Sequence, residues 1–157
     1  MKKNKSAIVI TIIIVVVLIG LFAIPKLTDP NRDLVKRWRV AGVDCLPSHT
    51  NATQHIHPRL KIFVDEEPEV IPANIGIVRS CMAEVHTHDA SGTIHLESVL
   101  AGKTFKLNDF FTVWNKELSR PGFDLEMEVD GLPSEELGNL ILKDGQEIIL
   151  RYTEVNG

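Results

Sequence analysis

The sequence predicts a single N-terminal transmembrane helix followed by a small α+β domain that is mostly β. Residues 7–24 carry no charge, and an uncharged apolar run of about 18 residues or more is typical of a transmembrane helix. Farther along, several short segments alternate apolar and polar residues, as half-buried strands do. Between them lies one segment with helical apolar spacing. This order of hairpins, one central helix and a final hairpin resembles a β-grasp, and a small β-sandwich is the alternative.

Four regions follow from this pattern: a tail (1–6), a transmembrane anchor (7–25), a juxtamembrane segment (26–44) and a β-rich domain (45–155). A cleaved signal peptide is the rival interpretation of the anchor, but no good cleavage pattern of small residues follows the apolar run. Basic residues flank both sides, so their count alone does not orient the helix. The short lysine tail and a cysteine pair favour a cytoplasmic N-terminus with the domain outside the cytoplasm.

The charge balance argues against a nucleic-acid partner. The chain has 17 basic and 21 acidic residues, and all the acidic residues lie after the apolar run, where the domain is net negative. Nucleic-acid-binding domains usually present a basic surface instead. We therefore expect the membrane, through the N-terminal helix, and subunits of a membrane complex as the partners.

The elements follow in order from turn and cap residues. A short helix is expected over Arg32–Val40, ended by Gly42. Alternation predicts strands within 56–64 and 125–129. Asn108 is a good N-cap for a helix whose apolar stripe includes two phenylalanines and Trp114. Residues 140–142 and 148–152 read as a final hairpin around a Lys-Asp-Gly-Gln turn.

Three of the six histidines lie within one predicted hairpin, residues 86–97. A turn of two or four residues between its strands leaves His86, His88, His95 and Glu97 on one face, because side chains alternate with period two. Val85, Thr87, Ile94 and Leu96 then form the opposite, core-facing side. A three-residue turn would move His95 to that opposite side. The alternative interpretation of the histidines is a solvated polar face.

His55 and His57 form a second pair with the spacing that puts both on one side of a strand. We expect them to approach the hairpin histidines if their strand neighbours it. The candidate ligands are therefore His55, His57, His86, His88, His95 and Glu97. Copper or zinc is the expected ion, because imidazole suits both metals and soft sulfur is scarce. Glu97 would be a ligand or would orient an imidazole.

Cys45 and Cys81 are the only cysteines. In an exported domain the default for two cysteines is one disulfide. Strand parity puts Cys81 on the apolar side with Val85, away from the histidines. The alternative role for Cys81 is a thiolate metal ligand.

Four segments of the chain resemble a group of uncharacterised prokaryotic proteins that are short and anchored or exported. They contain an H-x-H pattern at 55–57, Ile-Pro-Ala-Asn-Ile-Gly-Ile at 71–77, H-T-H-D-x-S-G-x-I-H-x-E-S at 86–98 and F-x-L-x-D-F-F-x-V-W at 105–114. The resemblance covers about residues 40–155. It implies that the histidines, the cysteines and the aromatic helix belong to one module, but it carries no function. Asp65-Glu66 departs from the expected Asn-Gly, and Asn108 from the usual Gly.

The function predicted from these features is a membrane-anchored, extracytoplasmic, metal-binding domain without catalysis of its own. The alternative is a structural or accessory subunit of a membrane complex that uses the histidine face as an interface. No nucleophile motif, phosphate-binding loop or dinucleotide fingerprint occurs in the sequence. A metal-dependent enzyme would further need an open coordination position and a general base in a cleft.

Overall fold

The computed structural model describes residues 5–27, 30–46 and 52–155. The chain divides into two compact units, Met1–Arg32 and Asp33–Gly157. The first contains helix α1 (Lys5–Leu27). The second is a small α+β arrangement, mostly of strands, with helices α2 (Arg32–Val40) and α3 (Leu107–Trp114).

The structure contradicts the predicted membrane anchor at residues 7–25. Within the described parts of the chain, no helix combines the length and the apolarity needed to cross a bilayer. The predicted fold class and the predicted localisation are wrong in the same respect, because both included a single membrane-spanning helix. The localisation had further placed the N-terminus in the cytoplasm. Residues 1–4 of the predicted tail lie outside the described residues.

Helix α2 forms where the sequence predicted it. Val35 and Trp38, three residues apart, are buried on one side, and this spacing places them on the same helical face. Asp33 lies in the first turn and Arg37 and Arg39 in the last, which suits the helix dipole at both ends. The N–H of Val43 donates to the carbonyl of Trp38 after the helix ends.

The main sheet of the second unit has five strands in the order β3-β2-β10-β8-β9. Strands β2 and β10 are parallel, with Leu60 opposite Ile148 and Ile62 opposite Leu150. All four of these side chains are buried. The other neighbours are antiparallel. The strand bounds are β2 Arg59–Val64, β3 Glu67–Glu69, β8 Phe123–Val129, β9 Leu132–Pro133 and β10 Glu147–Glu154.

The predicted final hairpin does not form. Strand β10 pairs with β2 and β8, while residues 140–142 run beside the segment that enters α3. The N–H of Leu107 donates to the carbonyl of Leu140, and the N–H of Leu142 donates to that of Phe105. Leu140 and Leu142 are buried on either side of a more exposed Ile141. Residues 140–142 are therefore extended, as predicted, but they pair with the segment before α3 and not with β10.

A second sheet of three strands contains three of the six histidines, His55, His86 and His95. Its order is β1-β7-β6, from β1 (Gln54–Ile56), β7 (His95–Ser98) and β6 (Val85–His86). A third, two-stranded sheet pairs β4 (Ile77–Val78) with β5 (Cys81–Met82). The segment before β4 lies along the chain after β6, where the N–H of Thr87 donates to the carbonyl of Ile75 and the N–H of Asn74 to that of Thr87.

Gly92 fixes the β6–β7 loop against the main sheet. Its φ is +80°, and a Cβ at this position would lie 2.2 Å from the carbonyl oxygen of Leu60. The carbonyl of Gly92 accepts the N–H of Leu60 at 2.9 Å. Glycine is thus required both for the left-handed backbone and for the close approach of two main chains.

Cys45 and Cys81 form a disulfide, with their Cα atoms 5.3 Å apart and 36 positions between them in sequence. Cys81 is buried, as are Ala83 and Val85, and the predicted disulfide is confirmed. Cys45 also bridges Ala83 as a strand partner. The cross-link therefore fastens the segment after α2 to the chain that leads into β6.

We expect replacement of both cysteines by alanine to lower the free energy of unfolding by about 3–4 kcal/mol, because the unfolded chain regains the freedom of a long loop. Urea denaturation of the oxidised protein and of the double variant measures the difference. Under reducing conditions the two proteins should be nearly equal in stability. A difference that persists after reduction would show that packing of the sulfur atoms, and not the cross-link, is responsible.

Candidate metal centre

The backbone pairing of β7 with both neighbours brings the histidine segments together. His86 lies opposite His95 across the β6–β7 pair, and Glu97 lies opposite His55 across the β1–β7 pair. The pairing of His86 with His95 is the register expected for a four-residue turn. The connection between the two strands is longer than four residues, because β6 ends at His86 and β7 begins at His95. His57 follows β1 directly. Six side chains from three chain segments therefore converge on one side of a sheet.

The first group, called here the inner set, consists of His86, His88, His95 and Glu97. One ligand atom from each lies within 4.8 Å of the others. The Nε2 atoms of His86 and His88 are 3.2 Å apart, and Nε2 of His86 is 3.9 Å from Oε1 of Glu97. His86 and Glu97 are buried, and His88 is exposed.

The second group, called the outer set, consists of His55, His57 and again His95, with the same limit of 4.8 Å between ligand atoms. The Nε2 atoms of His55 and His57 are 3.0 Å apart. Nδ1 of His57 lies 3.7 Å from a carboxylate oxygen of Asp144, and the same oxygen accepts the main-chain N–H of His57. Asp144 thus accepts a hydrogen bond from the backbone of His57 and lies beside its ring.

These separations match the geometry of a coordinated ion. Two ligand atoms 2.0–2.1 Å from a tetrahedral zinc ion are about 3.3 Å apart. The two Nε2–Nε2 distances, 3.0 and 3.2 Å, lie close to that value. In the inner set, the His86–His88 pair is therefore already at the separation of two ligands on one ion, and the remaining ligand atoms lie within 4.8 Å.

His86 is held as a neutral imidazole. Its side chain has no exposed surface, and burial lowers its pKa from 6.5 to about 4. Nδ1 lies 2.9 Å from the carbonyl oxygen of Ala83, which can only accept, so Nδ1 carries the proton and Nε2 the lone pair. A main-chain carbonyl bonded to the remote ring nitrogen is a common arrangement for metal-ligating histidine.

His95 stands between the two sets. Its ring centroid is 4.6 Å from that of His88 and 4.7 Å from that of His57. Burial lowers its pKa, and the neighbouring histidines lower it further. Its Nδ1 atom is buried without a hydrogen-bond partner among the described residues. A buried ring nitrogen in this position is suited to a ligand that the protein itself does not supply.

Sequence reasoning missed the charged pair that supports Glu97. The carbonyl of Glu84 accepts the main-chain N–H of Glu97 at 2.8 Å. The Glu84 carboxylate is buried, forms an ion pair with Lys103, and accepts hydrogen bonds from the Ser98 hydroxyl at 2.8 Å and the Asp44 main chain at 2.9 Å. Only the even spacing of Glu84 and His86 hinted at this position, and Lys103 lies in a turn with no pattern.

The structure also corrects the expected exposure of the histidine face. His86 and Glu97 are buried, like the apolar residues on the opposite side of the hairpin. The segment before β4 covers this region, since a Cβ at Gly76 would lie 3.1 Å from that of His86. The period-two pattern identified the shared face correctly but could not show that another loop packs against it.

We expect the stability of the metal-free protein to fall between about pH 6.5 and pH 4 because of His86. The unfolded chain protonates this residue near its ordinary pKa, whereas the folded chain resists protonation down to about 4. The contribution of neutral His86 to the free energy of unfolding is fully present above pH 6.5. About 3 kcal/mol of it is lost as the pH falls to 4. Denaturation in the presence of chelator measures it. The His86→Asn variant, which can still donate to Ala83, should depend less steeply on pH; equal slopes would contradict the assignment.

We expect Lys103→Met to lower the free energy of unfolding by about 2–3 kcal/mol, because it leaves the buried Glu84 carboxylate without its counter-charge. The double variant Glu84→Gln with Lys103→Met should recover part of this loss, since a neutral amide oxygen still accepts from Ser98. Urea denaturation of the four proteins of this cycle tests the pair. Strict additivity of the two changes would show that the ion pair contributes nothing.

Comparison of the chain with protein-family models, with curated proteins and with solved structures finds no match. The site's own geometry is therefore the basis for assigning a function.

Proposed function

We propose that this protein binds a divalent transition-metal ion, copper or zinc, at the inner set. The observation that carries the proposal is that ligand atoms of His86, His88, His95 and Glu97 lie within 4.8 Å of one another. Three nitrogens and one oxygen provide a complete tetrahedral set. The function proposed is binding of the ion, with no catalytic step assigned to it.

The donor chemistry supports copper or zinc over other ions. Imidazole nitrogen suits both metals, whereas magnesium and calcium prefer sites made of oxygen atoms. Both cysteines are joined in the disulfide, so no thiolate competes. The alternative role proposed for Cys81 from the sequence, as a metal ligand, is excluded by this bond.

Preorganisation supports metal binding over a merely polar surface. Burial keeps His86 neutral, and a neutral imidazole is the form that binds metal. Ala83 fixes its ring, and the pairing of β7 with β6 fixes His95 opposite it. A solvated polar face needs none of these restraints. The disulfide supports an oxidising compartment, in which such bonds persist.

We expect the double variant His88→Gln with His95→Gln to lower the affinity for Zn²⁺ by more than about 100-fold, since loss of an outer supporting group alone costs 10–100-fold. His88 is exposed and His95 only partly buried, so the fold should survive. Calorimetric titration of chelator-treated protein with Zn²⁺ and with Cu²⁺ measures the affinity, and elemental analysis measures the content as isolated.

Glu117→Gln is the control, because Glu117 is exposed and belongs to neither set. This variant should bind like the unaltered protein. Equal metal content in the control and the double variant would refute the proposal. The histidine face would then be better explained as a surface that contacts another protein.

A further inference from the structure

We infer that the centre holds two metal ions, one on the inner set and one on the outer set, with Glu97 between them. This inference rests on the proposed function and extends it from one ion to two. The observation behind it is that the outer set meets the same distance limit as the inner set. The two sets share only His95.

Glu97 is placed to contact both ions. Its Oε1 atom lies 3.2 Å from Nε2 of His55 and 3.9 Å from Nε2 of His86. These two nitrogens belong to different sets. A carboxylate between paired ions about 3.5–4 Å apart is the usual arrangement in two-metal sites. The buried position of Glu97, only 2% exposed, holds it there.

The outer set has the supports expected of a binding site. The contact of Asp144 with Nδ1 of His57 leaves Nε2 to face His55, as Ala83 leaves Nε2 of His86 to face His88. In each pair of histidines, the two Nε2 atoms are therefore separated by about the distance between two ligand atoms on a tetrahedral ion. The two halves of the centre use the same construction.

His95 distinguishes the two ions. A neutral imidazole has one lone pair, so His95 binds one ion at a time although it belongs to both sets. One ion then has two histidines, Glu97 and His95, and the other has two histidines and Glu97 with solvent. Since His55 is exposed while His86 is fully buried, we assign His95 to the inner ion. The outer ion then keeps His55 and His57, and Glu97, whose Oε1 atom lies 3.2 Å from Nε2 of His55, takes the place of His95, with solvent at the open position.

Nearby acidic groups offset the charge of two dications. Asp144 contacts His57, and Asp89 interacts electrostatically with His95 and His88. With Glu97, three carboxylates lie around the five imidazoles. Their charges reduce the mutual repulsion that would otherwise oppose entry of a second ion.

The test is the number of ions per chain, counted by native mass spectrometry of the full chain titrated with Zn²⁺. We expect two ions in the unaltered protein and in Glu117→Gln, and one ion in the double variant His55→Gln with His57→Gln. Loading with Cu²⁺ gives a second readout. Two copper ions that share Glu97 should couple magnetically, so that the paramagnetic resonance signal integrates to fewer than two spins.

Each outcome separates this inference from the proposed function. One ion per chain, lost on changing His88 and His95, would overturn the two-ion centre and leave the proposed function intact. A second ion that remains in the His55 and His57 variant, or that gives an uncoupled copper signal, would place it elsewhere and also overturn the inference. No bound ion at all would refute both proposals.

Discussion

The pairing of β7 with a strand on each side is the constraint on which the centre depends. None of its three strands exceeds four residues, so few backbone hydrogen bonds define it. Nevertheless, this pairing sets Glu97 opposite His55 and His95 opposite His86. A slip of one residue in either pair would turn the corresponding side chains to the other face. The Gly92 contact with β2 and the disulfide beside β5 restrain the same segments from both ends, which compensates for the short strands.

Burial determines the chemistry of the assembled side chains. Five imidazoles in close contact would repel one another if protonated, and desolvation of His86 and His95 lowers the pKa of both. The lowered pKa of His86 and of His95 favours the neutral form of these two imidazoles, which presents a lone pair. This state costs stability in acid, where the unfolded chain takes up protons first. The same property that weakens the metal-free fold below pH 6.5 prepares the ligands for a cation.

How much of this arrangement can be predicted from the sequence depends on whether a pattern involves neighbouring residues or distant segments. Period-two alternation is local, and it grouped His86, His95 and Glu97, whose ligand atoms the fold brings together. Pairing between distant segments is not encoded locally. Residues 140–142 were therefore assigned the wrong partner, and the parallel pairing of β2 with β10 was not foreseen. The support of Glu84 by Lys103 likewise arises only after folding. The N-terminal prediction rested on composition alone, and among the described residues no helix is both long and apolar enough to span a membrane.

The ligands come from three segments, at 55–57, 86–88 and 95–97, that are joined chiefly through short strands. An ion bound by the inner set would connect β6 with β7, and an ion on the outer set would connect β1 with β7. Binding energy at such cross-links is also folding energy, because the unfolded chain cannot gather the same ligands. The apolar core contains residues of the main sheet and α3 together with Val85 and Leu96 of the short-stranded sheet. An ion at the proposed centre would therefore add cross-links on the polar face of a sheet whose apolar face already packs in the core.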